Sequence, residues 1–112
     1  VSGIELIAYE RLRQVEAEGY STKHDDAHVD GALLSAAMCY AGIEWLIAGG
    51  APVTRSETPM NWPWSADAWK PTNDPVRNLV KAGALLAAEI DRLLRLNAEA
   101  ERSGQNEDIS HA

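Results

Sequence analysis

The chain has 112 residues, of which 46% are hydrophobic, with no Phe, and Asp and Glu outnumber Lys and Arg 17 to 10, for a formal charge of −7. That length holds one domain with a modest core, and the acidic balance excludes a nucleic-acid backbone as the main partner, because phosphate binding needs a basic surface. A core of Leu, Ile, Val and Ala with few aromatics suits close helix packing better than β-sandwich layers, so the expected fold is all-α.

Ser2 is placed to cap a first helix over about 3–18, in which Ile4, Ile7, Ala8, Leu12 and Val15 recur at helical spacing and Gly19 marks the stop. In projection Arg11 falls among Ile4, Ala8 and Val15, with Gln14 and Glu18 along the same edge. These polar groups either pair at the rim of the core or face a ligand. The segment from Gly19 to His28 follows, with His24, Asp25, Asp26 and His28 packed into five residues. Asp30 is expected to cap a second helix over about 30–48, apolar almost all round, which makes it central in the fold or covered by another subunit. Its only charged side chain, Glu44, points outward near the helix end or into a pocket. The single Cys39 lies in this apolar run. It offers no disulfide framework and no thiolate metal site, reads as a buried filler, and fits a reducing compartment.

A loop over 49–74 comes next, and with Pro75 it holds all five prolines, together with Trp62, Trp64 and Trp69. Three indoles so close together demand a surface to cover, so the loop is expected to be an ordered flap that seals the core or stacks on a planar or sugar ligand. Asp74-Pro75 launches a third helix over about 75–102. Its expected core stripe is Val76, Leu79, Val80, Gly83, Leu86, Ala87, Ile90, Leu93 and Leu94, and Ala82 and Leu85 add apolar surface elsewhere, which suggests a homo-oligomer. The domain thus spans 1–102, a small bundle of three main helices. Residues 103–112 are polar and unpatterned, read as a disordered tail in which His111 carries no functional weight.

Several chemistries can be weighed on these residues. His24, Asp25, Asp26 and His28 have metal-ligating atoms, and the two histidines converge on one face if the segment is helical. The Glu-Glu-x-x-Glu run and later Glu-x-x-Asp with which all-α nucleotide pyrophosphohydrolases hold magnesium are absent. A histidine-aspartate phosphohydrolase would need histidines beyond the cluster, where only His111 remains. Ser21 and Thr22 lie near His24 without a glycine elbow or oxyanion frame. A binding site has more parts: Arg11, Lys70, Arg77 and Lys81 around an anionic group at the start of the third helix, Tyr20, Trp64 and Trp69 as stacking faces, and Gln14, Glu18, His24, Asp25 and Asp26 as polar contacts.

Glu10-Arg11-Leu12-Arg13-Gln14, Glu18-Gly19-Tyr20-Ser21-Thr22, His24-Asp25-Asp26-Ala27-His28, Gly31-Ala32-Leu33, Ala36-Ala37, Tyr40-Ala41, Trp62-Pro63-Trp64, Trp69-Lys70-Pro71 and Arg77-Asn78-Leu79-Val80-Lys81-Ala82-Gly83-Ala84-Leu85 together resemble a small phage and prophage protein family, over residues 10–95. A shorter stretch from Arg13 through Gly19-Tyr20 to Asp25-Asp26 resembles the ryanodine-receptor repeat domain, without that domain's Lys-x-His-Pro continuation. The bacterial relatives of that repeat imply an association with nucleotide-linked signalling.

The resulting expectation is a phage-encoded, homo-oligomeric binding protein that sequesters a small nucleotide-derived ligand, a cyclic nucleotide or ADP-ribose-type immune signal, and needs no cofactor. One alternative is a metal-assisted nucleotide phosphohydrolase using Glu18, His24, Asp25 and Asp26, with any Mg²⁺ or Mn²⁺ on His24, Asp25, Asp26 and His28. Another is an inhibitor that grips a host protein through the Trp loop. With no apolar run of bilayer length and no signal-peptide pattern, a cytoplasmic protein without a membrane partner is expected.

Overall fold

Local signals set where each helix starts. In the computed structural model, which describes the backbone of residues 1–111 and the side chains of residues 1–104, α1 spans Gly3–Ala17 and the Ser2 hydroxyl accepts the Glu5 N–H at 3.2 Å. Gly19 follows at φ +74, a left-handed turn that suits glycine, and the Tyr20 N–H returns to the Gln14 carbonyl at 2.9 Å. A short α2, Thr22–Asp26, is capped by Ser21 through the His24 N–H, so most of the acidic-histidine cluster is helix rather than loop. Gly31, at φ +81, turns the chain into α3, Ala32–Ala48, and Asp30 accepts the Ala32 N–H from one position earlier than a regular cap. Asp74 accepts the Val76 N–H at 3.0 Å and Pro75 opens α4, Pro75–His111.

The described residues contain helices, one 3₁₀ turn at Ala66–Ala68 and no strand, an all-α fold with three main helices. The long helix α4 packs against α1, α2 and α3 and is the hub. The apolar second helix, α3, supplies Leu33, Ala36, Ala37, Cys39, Tyr40 and Ile43 to the core but is not packed all round in the single chain, where Leu34, Met38, Trp45 and Leu46 are exposed. α4 also runs well beyond Arg102, so the disordered tail expected over 103–112 is helix as far as His111. Extending a formed helix adds one hydrogen bond per residue fixed, so polar residues without a proline carry it on. Ala112 and the side chains of 105–112, His111 among them, lie outside the described residues. The radius of gyration is 17.1 Å, against about 13 Å for a compact domain of this size, because α4 sets a long axis of 62 Å.

Most of the expected apolar stripes point outward, with Val80 on α4 and Ile7 on α1 turned inward. On α1 the buried residues are Glu10 and Gln14, while Ile4, Leu12 and Val15 are exposed. On α4, Asn78, Val80, Ala82, Ala84, Leu85, Ala88 and Glu89 are buried, whereas Val76, Leu79, Leu86, Ile90, Leu93 and Leu94 are exposed. Small residues on the inward face let helices approach closely; a Cβ on Gly83 would lie 2.6 Å from Ile7 Cδ1.

The loop is ordered and closes the core between α3 and α4. Trp62 and Trp69 are buried around Tyr40, with ring centroids 4.6 to 5.7 Å apart. Each indole N–H has a carbonyl, Ser65 for Trp62 and Arg55 for Trp69, both at 2.9 Å, as buried indoles require. Glu44 anchors the loop: it takes Arg55 through two 2.7 Å bonds and the Asn78 amide at 2.9 Å.

Candidate functional site

Two acids organise the polar interior. Glu10, almost fully enclosed, accepts Arg13 at 2.7 and 2.9 Å, Arg77 at 2.6 Å and Gln14 at 3.3 Å. Burial pushes its carboxyl upward, but the bonds from Arg13 and Arg77 outweigh that and hold it below the ordinary carboxylate range. Asp25, with no exposed surface, accepts Arg11 on one oxygen and His24 Nδ1 on the other, both at 3.0 Å. If His24 donates from Nδ1 to this carboxylate, its Nε2 is left as an acceptor facing His28 Nε2 at 3.3 Å. Tyr20 stacks on the His24 ring at 4.5 Å and 6°, and Trp64 lies against His28 at 5.3 Å.

On the other side of Tyr20 a cleft opens between α1, the loop and α4. Its walls are Glu10, Arg13, Gln14, Glu18, Tyr20, Tyr40, Trp62, Trp64, Ala68, Lys70, Lys81 and Leu85, and its volume is ≈ 30 Å³. That is the size for a water molecule or one small group, below the range of small-molecule sites, so a larger ligand would project from the mouth or spread the walls. Two polar groups in the walls are under-satisfied. Gln14 Oε1 is buried without a hydrogen-bond partner. Lys81 Nζ donates to the Lys70 carbonyl at 2.6 Å and lies 5.6 Å from the Tyr40 ring centroid, with no carboxylate within ion-pair distance among the described residues. Burial, and then the charge of Arg77, lower the pKa of Lys81. Burial, helped by Glu18, pushes the Tyr20 hydroxyl up to about 12, so it stays a hydrogen-bond donor at neutral pH.

Of the residues expected to meet a ligand, Gln14, Glu18, Tyr20, Trp64, Lys70 and Lys81 come together in this cleft. His24 and Asp25 stand behind Tyr20 as its support. Arg11 is turned to Asp25 and, at 3.8 Å, to Asp91, although its Nη1 is buried without a partner. Arg77 is turned to Glu10, Asp26 to Arg95 at 2.7 Å, and Trp69 is core. The expected ring of Arg11, Arg77, Lys70 and Lys81 around one anion therefore does not form, because local acids capture both arginines. His24, Asp25, Asp26 and His28 do not converge either, since Asp26 faces the opposite way. No group of three or more His, Cys, Asp or Glu side chains placed to hold a metal ion occurs among the described residues.

Sequence reasoning missed Glu10, Arg13 and Tyr40 and named Trp62 only as one of the loop's indoles. The spacing of Glu10, Arg13 and Gln14 at i, i+3 and i+4 is the available signal for a shared helix face; Tyr40 carries none, because only the loop closure brings it to α1. A second groove, ≈ 620 Å³ and mostly apolar, runs between α3 and the loop past Met38, Ile43, Trp45, Leu46, Val53 and Met60. No helix is long and apolar enough to cross a membrane among the described residues. No family model matches the chain, and no match was found among curated proteins or solved structures.

Proposed function

We propose that the protein binds and sequesters a small, planar, anionic ligand of nucleotide type, such as a cyclic nucleotide or an ADP-ribose-type signal, in the cleft between α1, the loop and α4. One observation carries this reading: among the described residues Lys81, like Lys70 beside it, has no carboxylate within ion-pair distance, and it is partly desolvated over Tyr40, in a protein that pairs Arg11, Arg13, Arg55, Arg77, Arg92 and Arg95 with acids. A phosphate is the chemistry that a half-buried ammonium and the nearby Lys70 would take. Tyr20 and Trp64, held by His24 and His28, supply faces for a base, and the unpartnered Gln14 Oε1 accepts from a ribose hydroxyl or an exocyclic amine. The resemblance to phage proteins fits a sponge for a host immune signal.

Isothermal titration against cyclic dinucleotides, cyclic mononucleotides and ADP-ribose isomers is expected to give heat for at least one, lost by a factor of ten or more in Lys81→Met. That factor corresponds to about 1.4 kcal/mol. Ligand recovered intact after denaturing the protein, with and without Mg²⁺ or Mn²⁺, separates sequestration from turnover. No heat with any member of the panel removes the proposal.

A further inference from the structure

The outward face of α4 carries a seven-residue repeat that is exposed in the single chain except at Gly83, where α1 packs. Val76, Gly83, Ile90 and Asn97 recur every seven residues, and three places after each come Leu79, Leu86, Leu93 and Ala100. Val76, Leu79, Leu86, Ile90 and Leu93 are each between 41% and 56% exposed, and Asn97 and Ala100 are exposed as well. At Gly83 the missing side chain is replaced by Ile7 of α1. A strict seven-residue spacing drifts around a straight α-helix by about 20° per heptad. Holding it from 76 to 100 matches a seam wound against another helix of the same kind.

A second observation is independent of this pattern. α4 outruns the body that supports it: among the described residues its last ion pair to another element is Arg95 with Asp26, and residues 99–103 are exposed. Over that stretch the helix propagates from its formed part, and the exposed Asn97 and Ala100 are open to a second helix.

We infer that α4 pairs with α4 of a second copy of this chain as a parallel, in-register, two-stranded coiled coil. Like seams are complementary to themselves, so the second copy needs no further fit. Val76 and Ile90 are β-branched at the first core seat and Leu79, Leu86 and Leu93 occupy the second, the arrangement that favours two parallel strands. Asn97 is the one polar side chain in the seam. In parallel register it meets its own counterpart, amide to amide; shifted or antiparallel pairing sets it against an apolar seat and leaves its amide unsatisfied.

Charge does not oppose the approach. The seats flanking the seam are Val80, Ala87, Leu94 and Glu101 on one side and Ala82, Glu89 and Leu96 on the other. Of the two acids, Glu89 is paired with Arg92 at 2.7 Å, and in parallel register Glu101 comes opposite Leu96 of the second copy, not another acid. Exposed Leu94 and Leu96 widen the apolar strip. This pairing does not depend on the ligand proposed above.

Light scattering of the full chain is expected to give a mass of twice 12.2 kDa. Leu86→Glu with Leu93→Glu should give monomers whose circular dichroism remains helical, since both side chains are on the surface of the single chain. For register, Ala100→Cys in a Cys39→Ser background, which leaves Asn97 in place, should form a disulfide-linked dimer on mild oxidation, because facing core seats in a parallel pair lie about 6 Å apart, inside disulfide range. Monomeric wild type, a trimer or larger assembly, or a dimer that survives both Glu substitutions overturns the pairing. A dimer that fails to cross-link at position 100 overturns the parallel register.

Discussion

Glu10→Gln keeps the shape of a side chain that is 1% exposed and removes its charge. The wild-type carboxylate receives Arg13 in bidentate fashion and Arg77 at 2.6 Å. A glutamine retains one acceptor oxygen and turns an NH₂ toward a guanidinium, donor against donor. Removing one member of a fully buried pair costs about 3–5 kcal/mol. Here the arginine side chains are 39% and 36% exposed, so both can recover water, and Arg13 keeps Glu18 at 3.0 Å. The expected loss is therefore about 2–3 kcal/mol, at the scale of one or two charge-assisted hydrogen bonds. Urea unfolding at fixed protein concentration should show it as a midpoint lowered by about 1–2 M with an unchanged slope. The same substitution predicts a change in acid sensitivity. Because the folded Glu10 carboxyl titrates below its ordinary value of 4.5, the unfolded chain takes up the proton first. The stabilisation is complete above pH 4.5 and declines as pH falls toward the folded-state value; the Gln variant lacks that decline. A loss below about 0.5 kcal/mol, the range of ordinary surface substitutions, with an unchanged acid limb, would refute the central role given to Glu10.

Asn78→Leu should destabilise the fold by about 2–4 kcal/mol in the same assay, because the fully buried amide donates to Glu44 and to the Thr72 carbonyl and accepts the Thr72 N–H at 2.8 Å; a neutral result would mean the loop does not depend on this anchor. Gly83→Ala, normally worth up to about 1 kcal/mol of helix stability, is expected to lower the melting temperature instead, since the new methyl meets Ile7 Cδ1. Trimming Ile7 to Ala should make the same change at Gly83 favourable, and a melting temperature raised by Gly83→Ala alone would contradict the close approach of α1 and α4. Acrylamide quenching of single-Trp variants should find Trp45, 75% exposed, readily quenched and Trp62 and Trp69 protected; equal accessibility of all three would show that the loop does not close over Tyr40.

The parts of the fold that are legible in the sequence are those decided within a few residues. Ser2, Gly19 and Asp74-Pro75 act through their own backbone neighbours, and each sits where a helix begins or ends. The stripes mislead for a physical reason: periodicity reports that a face will be covered, but not by what. On α1 it selects Ile4, Leu12 and Val15, which are exposed, whereas the buried positions belong to Glu10 and Gln14, whose cost of burial is met by Arg13 and Arg77 from elsewhere in the chain. The same limit governs the site. Arg11, Arg77 and Lys81 look alike as cations available to an anion, and nothing local distinguishes them. Glu10 and Asp25 do distinguish them in space, by capturing Arg77 and Arg11 and leaving Lys81 with only a carbonyl. Gly19 to His28 likewise has a role that its composition obscures. Asp25 is locked by Arg11 and sets the His24 ring, His24 sets Tyr20, and His28 sets Trp64, so the most reactive-looking residues of the chain act as the support for two aromatic faces. A substitution in the cluster should therefore change binding through ring placement: Asp25→Asn, which keeps the shape, should weaken ligand affinity more than the solvent-facing Asp26→Asn, and the reverse order would argue that the carboxylates contact ligand directly.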